Sequence, residues 1–436
     1  MYKVLESTAS NGTDRATNWA SDFGDTSPDS NGKIKVLLYS HDTFGLGHLR
    51  RNLAIATGLL NHSNQFSVCL LTGSPVIRQW ALPEGLSVQS LPPVVKTGAE
   101  RYAARDAGQL FGLVKGYREA LILKTVMRFR PDVFLVDHAP AGMNGELLST
   151  LALIRREFPN MRTVLGLRDI LDSPEVVKAV WLEQEIHSLL EHAYDEILVY
   201  GSQALIDVAQ EYGLTGKIAN RVRYCGYVVA AADCHDQPQS RHLDAVCWNR
   251  SRAAERPVIL VTAGGGGDGF FLMDAFLRAH PVTPSPQYYS VIVTGPLMAE
   301  DQKAKLRLLA ANRIDVELVD HTTNLVPSLE AAFLVVAMAG YNTSAEVVAA
   351  RCRAILVPRA APRAEQRIRA QLLKRLGMVR SVEPGPNLVA DLAGQLLMAC
   401  SEPPPTHGGS SLELNGVQRV AEHLSYMARV SQENAA

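Results

Sequence analysis

Three glycine-containing stretches in this chain are candidates for chemistry, and two of them have the residue types and spacing that handling a phosphate requires. The first is Gly264-Gly265-Gly266-Gly267-Asp268-Gly269. Consecutive glycines cost backbone entropy, of order 1 kcal/mol each relative to alanine in regular structure. Such a run is tolerated where backbone must come close to a ligand, and bare amides ahead of a helix suit an anion. No Lys-Ser/Thr follows, which separates the run from a triphosphate P-loop and leaves a plain surface loop as the competing reading. The second stretch is Gly340-Tyr341-Asn342-Thr343, just after the apolar run Leu334–Ala337. Its amides can cradle a diphosphate at the positive end of a helix. Glu346 then has two readings: partner of Thr343 in a capping box, or acceptor for both hydroxyls of a ribose. Farther on, Arg359, Arg363, Glu365, Gln366 and Arg367 crowd one loop and helix start, where arginines pair with phosphate or stay solvated.

The third stretch is Gly45-Leu46-Gly47-His48. Arg50 replaces the third glycine of a dinucleotide fingerprint, and the second apolar run ends in Leu71-Thr72-Gly73 with no carboxylate for a ribose. Both departures argue against nicotinamide or flavin. The stretch reads either as a tight strand-to-helix turn or as an acceptor-binding loop with His48 facing a cleft.

These loops need rigid elements behind them, and the apolar runs supply them. Ile34–Ser40, Ser67–Thr72, Val133–Val136, Thr163–Gly166 and Glu196–Tyr200 are short and apolar, and helical segments separate them. That alternation predicts a doubly wound α/β domain with a parallel sheet. It breaks between Val228 and Arg256, then restarts with Val258–Thr262, Tyr289–Val293, Val316–Val319, Leu334–Ala337 and Ala354–Pro358. The division is a polar, aperiodic tail over 1–31, an N-terminal domain over 32–228 and a connection over 229–256. A C-terminal domain follows over 257–412, and a last helical segment over 413–436.

Composition bounds the function. With 436 residues and 47% hydrophobic content the chain needs no disulfide or metal staples for its core. A net charge of −1 provides no global field for nucleic acid. No apolar stretch approaches the ~18–20 residues of a membrane span, and no secretion signal opens the chain. Six scattered cysteines without a C-x-x-C pair fit free thiols in a reducing cytoplasm. Cys234, His235, His242 and Cys247 are spaced too irregularly for zinc. The stretch Val114–Arg130 carries Lys115, Arg118, Lys124, Arg128 and Arg130 among apolar residues; it reads as a solvated face or as a dock for a membrane.

Residues 336–379, with Gly340-Tyr341-Asn342-Thr343, Glu346, Val357-Pro358-Arg359, Glu365-Gln366 and Leu376-Gly377, resemble the nucleotide-sugar-binding half of GT-B glycosyltransferases. The group in question contains the enzyme that adds N-acetylglucosamine to the peptidoglycan lipid precursor. Gly264–Gly269 and, more loosely, Gly45–His48 share in the likeness. The resemblance implies two Rossmann-like domains facing a cleft and a last helix that crosses back to the first domain. It implies a UDP-sugar donor, with Glu346 on the ribose, Gln366 on the sugar or ribose, and Gly264–Gly267 and Gly340–Thr343 on the diphosphate. Arg359 and Glu365 belong to the same donor wall, and Gly45 and Gly47 to the acceptor side. It also implies His48 as the general base and Asp137 as its orienting carboxylate; on chemistry alone, Asp42 and His138 are alternative bases. His138 and the segment Arg168–Asp172 have no counterpart in the group.

Positions eight before and after Glu346 are Met338 and Ala354, so the two-glutamate arrangement of retaining relatives is missing and inversion is expected. No Asp-x-Asp is present, so metal-independent transfer is expected, with no cofactor beyond the donor. The acceptor is a hydroxyl on a lipid-linked or small molecule. Two other readings stand beside this one. A UDP-N-acetylglucosamine 2-epimerase-like enzyme would need several carboxylates and histidines converging on the sugar. A sugar-nucleotide-binding protein without catalysis would bind and not turn over.

Overall fold

A computed structural model describes residues 32–42, 46–63, 65–80, 82–98, 101–105, 108–229, 256–280, 287–320, 325–402 and 412–433. Gly45, the tail, most of the connection and the four residues weighed for zinc lie outside them. The N-terminal sheet is built from β1 (Ile34–Tyr39), β2 (Phe66–Thr72), β3 (Leu86–Ser90), β6 (Val133–Asp137), β7 (Arg162–Arg168), β8 (Glu196–Tyr200) and β9 (Val222–Tyr224). Its order is β3-β2-β1-β6-β7-β8-β9, with every pairing parallel. A small antiparallel hairpin, β4 (Val94–Gly98) and β5 (Arg101–Ala104), stands outside it. The C-terminal sheet is β10 (Val258–Thr262), β11 (Tyr289–Val293), β12 (Val316–Val319), β13 (Leu334–Ala337), β14 (Ala354–Leu356) and β15 (Arg380–Ser381). Its order is β12-β11-β10-β13-β14-β15, again all parallel.

Strand side chains alternate between faces, so each sheet feeds two cores. In β1, Val36 and Leu38 join one core and Leu37 and Tyr39 the other. The first of these cores does not stop at the domain boundary. It runs from β1 and α1 (Gly47–His62) through Tyr227 and Tyr341 to Val258 and Leu260 of β10. The helix Gly416–Glu433 packs on α1, where a Cβ on Gly58 would fall 2.0 Å from Val417 Cγ1, so no larger residue fits there.

Chain order reverses between β1 and β6 in one sheet and between β10 and β13 in the other. Ligands of open α/β sheets sit outside the strand carboxyl ends at such switch points. His48 and Asp137 follow the first pair of strands, and Gly264 and Gly340 the second.

Two expectations change here. The basic helix α2 runs Phe111–Phe129, and two of its cations face inward or sideways. Arg118 is buried and donates to both oxygens of Glu146 at 2.6 Å, while Lys115 pairs with Glu119 at 2.5 Å. Arg118 is therefore not part of the exposed face of α2. The capping box is also absent: the helix Tyr341–Ala349 starts one turn earlier, with Gly340 at the N-cap, so Thr343 lies inside it. Among the described residues no helix is long and apolar enough to cross a membrane.

Candidate active site

A cleft of about 640 Å³ opens between the two sheets at these switch points. His48 sits on its N-terminal wall in the first turn of α1, and Asp137 is the last residue of β6. His48 Nδ1 lies 2.6 Å from Asp137 Oδ2. Arg51, one turn on along α1, donates to Asp137 Oδ1 from Nε at 3.0 Å and from Nη2 at 2.6 Å. His48 Nδ1–H therefore donates to the carboxylate, and Nε2 keeps the lone pair. Burial pushes His48 down to about 4, against the upward pull of Asp137, so the ring is neutral near pH 7. Burial would raise Asp137, but Arg51 and then His48 hold it well below the usual carboxylate range. This is the base-and-orienter geometry of a catalytic dyad.

The alternative bases fare differently. Asp42 is buried, accepts from Thr72 Oγ1 at 2.5 Å and does not line the cleft; burial raises it to about 6. His138 does line it, with its ring centroid 5.1 Å from that of His48 and 6.0 Å from that of His41. Its backbone is left-handed, φ 69°, a conformation that costs of order 1–3 kcal/mol outside glycine and clusters at functional sites.

The opposite wall carries the predicted donor residues, and they divide into groups. Gly264, Gly265, Gly340, Tyr341, Asn342, Thr343, Arg359, Glu365 and Gln366 line the cleft, as does Gly47 across from them. Gly266 and Gly267 do not. A Cβ on Gly266, at φ 85°, would fall 1.9 Å from the Thr294 carbonyl oxygen, so that glycine answers to packing against the next strand end. Only the first part of the glycine run faces the ligand space. The N-terminus of the helix Tyr341–Ala349 points its amides at the cleft, and Asn342 Nδ2 donates to Gly47 O at 3.1 Å across it. The Tyr341 phenol turns the other way: its oxygen accepts from Val228 N at 3.0 Å, and its ring stacks on Tyr227 with centroids 5.6 Å apart.

Arg359, Glu365 and Gln366 brace one another. Arg359 donates to Glu365 Oε1 at 2.5 Å and to Asp268 Oδ2 at 3.0 Å, and its amide donates to Gln366 Oε1 at 3.2 Å. Glu346 is buried and stands back from the cleft lining; Arg50 of α1 donates to its Oε1. Its Oε2 is buried without a hydrogen-bond partner among the described residues, an oxygen still able to accept from a hydroxyl. Burial raises Glu346, with Arg50 opposing.

Sequence reasoning missed the seam beneath the cleft. Asp169 and Arg369, each fully buried, join the domains: Arg369 Nε donates to Asp169 Oδ2 at 3.0 Å and Nη2 to Oδ1 at 2.7 Å. Tyr227 Oη donates to Asp169 Oδ2 at 2.9 Å, and Asp172 Oδ1 accepts from Ala364 N at 2.8 Å. Within the segment Arg168–Asp172, unplaced by resemblance, Asp169 and Asp172 thus belong to the interdomain contact. Arg51 was legible, since three positions after His48 it shares that face of α1. Asp169 and Arg369 carried no local signal.

Solved structures share this architecture. MurG from Acinetobacter baumannii is similar with a TM-score of 0.54 at 12% identity, over 90% of this chain and 99% of that one. A kitacinnamycin glycotransferase gives 0.52 at 15%, over 92% and 98%. A Listeria monocytogenes protein designated a UDP-N-acetylglucosamine 2-epimerase gives 0.56 at 13%, over 91% and 97%. At these identities the likeness shows the fold alone, and the fold is GT-B. Residues 258–405 match the glycosyltransferase family 28 C-terminal domain. The chain is a GT-B glycosyltransferase. No curated protein matches it by sequence. The matched span of the enzyme contains Gly264–Gly269, Gly340–Glu346 and Arg359–Gln366, the whole C-terminal wall of the cleft.

Proposed function

We propose that this enzyme moves a hexose or N-acetylhexosamine from a UDP-sugar to a hydroxyl acceptor, with inversion and without a metal ion. The observation that carries the reading is the His48–Asp137 pair, placed at one switch point and facing the helix N-terminus at the other. His48 Nε2 takes the acceptor proton as the hydroxyl attacks the anomeric carbon, and Asp137 stabilises the imidazolium that forms. The amides of Gly340 to Thr343 and the first glycines of the run receive the departing diphosphate, whose charge the helix end favours. Glu346 stands behind Arg50, which lines the cleft, so a ribose contact by its orphaned Oε2 needs Arg50 to turn aside. A single displacement inverts the anomeric centre.

Calorimetric titration with UDP, GDP, dTDP and ADP, with and without magnesium, tests the donor site. Metal-independent micromolar binding of UDP is the expected result; no binding of any nucleotide refutes the assignment. His48→Ala should then keep UDP affinity and lower kcat about 10²–10⁴-fold, the usual worth of a positioned base.

One observation favours a second reading. His41, His48 and His138 do converge, with centroids 5.1 to 6.0 Å apart, as an epimerising site would require. UDP-N-acetylglucosamine incubated without acceptor separates the two: conversion to its 2-epimer would replace transfer as the function.

A further inference from the structure

β7 ends at Arg168, and the residues that follow it are spent on the domain seam. Arg168 itself is not. It lines the cleft, and its Nε is buried with no hydrogen-bond partner among the described residues. Beside it on the neighbouring strand end is His138, whose amide donates to Gly166 O at 2.7 Å. The left-handed backbone of His138 places its ring in the cleft, where its Nδ1 is also buried and unpartnered among the described residues. Arg363 enters from the C-terminal domain, with Nη1 3.4 Å from His138 Nε2.

Among the described residues no carboxylate pairs with Arg168. Arg51 is taken up by Asp137 and Arg369 by Asp169. Glu365 is the carboxylate that acts on Arg168, and its Oε1 already holds Arg359. Burial, with Arg51, Arg369 and Arg363 adding to it, pushes Arg168 down to about 10 even though Glu365 pulls the other way. A guanidinium so placed gains by pairing with a planar or tetrahedral anion, to which it can donate two parallel hydrogen bonds.

We propose that Arg168, with Arg363 and His138, forms a subsite for an anionic group of the substrate, a carboxylate or a phosphate, next to the His48 base. The proposal rests on the glycosyl-transfer reading for which substrate is bound. The subsite differs from the diphosphate position, since Arg168 stands at the end of β7 and the diphosphate loops follow β10 and β13. The anion has two sources, the transferred sugar (a uronate) or the acceptor.

The test is calorimetry on the full chain and on Arg168→Gln, with UDP, UDP-glucose and UDP-glucuronate as probes. Glucuronate, inorganic phosphate and glucose are then titrated into the UDP-saturated protein. A charge-assisted bond of this kind is worth about ten- to a hundredfold in affinity. Arg168→Gln should lose that factor for the anionic probes and keep wild-type affinity for UDP, UDP-glucose and glucose. Loss on UDP-glucuronate assigns the anion to the transferred sugar, and loss confined to glucuronate or phosphate on the UDP-loaded protein assigns it to the acceptor. An equal loss for UDP itself, or no loss for any anion, overturns the subsite. Arg168→Lys, which keeps the charge without the fork, should recover part of the affinity. If the wild type binds no UDP, the donor reading fails, and glucuronate and phosphate titrated into the nucleotide-free proteins still decide the subsite.

Discussion

Arg369→Met removes half of the buried pair that joins the two domains. Arg369 donates twice to Asp169, at 3.0 and 2.7 Å, and once to Ala339 O at 3.0 Å. Neither member of the pair has any exposed side-chain surface. Met keeps most of the packing volume, so the change isolates the charge. Asp169 would keep only Tyr227 Oη and the Ile170 amide as donors. An uncompensated buried charge of this kind costs about 3–5 kcal/mol, while replacing both partners by neutral groups is far milder. Against a total stability of about 5–15 kcal/mol that is a large fraction. The assay is urea unfolding followed by circular dichroism and tryptophan fluorescence, extrapolated linearly to water. Arg369→Met should lose about 3–5 kcal/mol, and adding Asp169→Asn should restore at least about 1 kcal/mol, because the orphaned charge is then gone. A loss below about 1 kcal/mol for Arg369→Met, or a double variant no more stable than the single one, would refute the argument that this pair holds the domains together electrostatically.

Four further outcomes are expected. The neutral form of His48 is the base, and its folded value lies near 4, so kcat/KM should stay flat from pH 7 to 5 and fall as pH drops through about 4; a fall centred near 6.5 would mean an unperturbed histidine. The same shift bears on stability: the unfolded chain binds the proton at higher pH, so the contribution from neutral His48 is complete above about 6.5 and is lost as pH falls to about 4. If Glu346 Oε2 accepts a ribose hydroxyl, 2′-deoxy-UDP should bind wild type about tenfold more weakly than UDP, and Glu346→Ala should bind the two equally, as titration would show. Gly266→Ala should destabilise the fold, since its Cβ would meet Thr294 O at 1.9 Å, whereas Gly340→Ala meets nothing within 4 Å and should melt like wild type while binding UDP less well.

Much of the architecture was legible because strands of a parallel sheet are buried on both faces and read as apolar runs. β8, β10, β11, β12 and β13 fall where those runs predicted them. β3, β9 and β15 were not foreseen: LSVQS, VRY and RS are edge or near-edge segments, too short or too polar for a periodicity to register. β14 stops at Leu356 rather than Pro358, and a proline has no amide to offer the ladder.

At the site, local chemistry marked His48, the glycine loops and the helix start at Gly340, because a glycine after a strand and an unpaired helix end are properties of neighbouring residues. Resemblance supplied Asp137. What each of these residues faces was a matter of assembly. Gly264 and Gly266 are alike as letters, yet one lines the cleft and the other avoids Thr294. Glu346 meets Arg50, and Asp169 meets Arg369, across separations of 296 and 200 residues. A charged residue at a strand end reads the same whether it is solvated or buried against its opposite. Local pattern therefore reached as far as the elements and their phosphate-ready loops, and the docking of one domain on the other assigned the ion pairs, the orphaned atoms and the unpaired charge of Arg168.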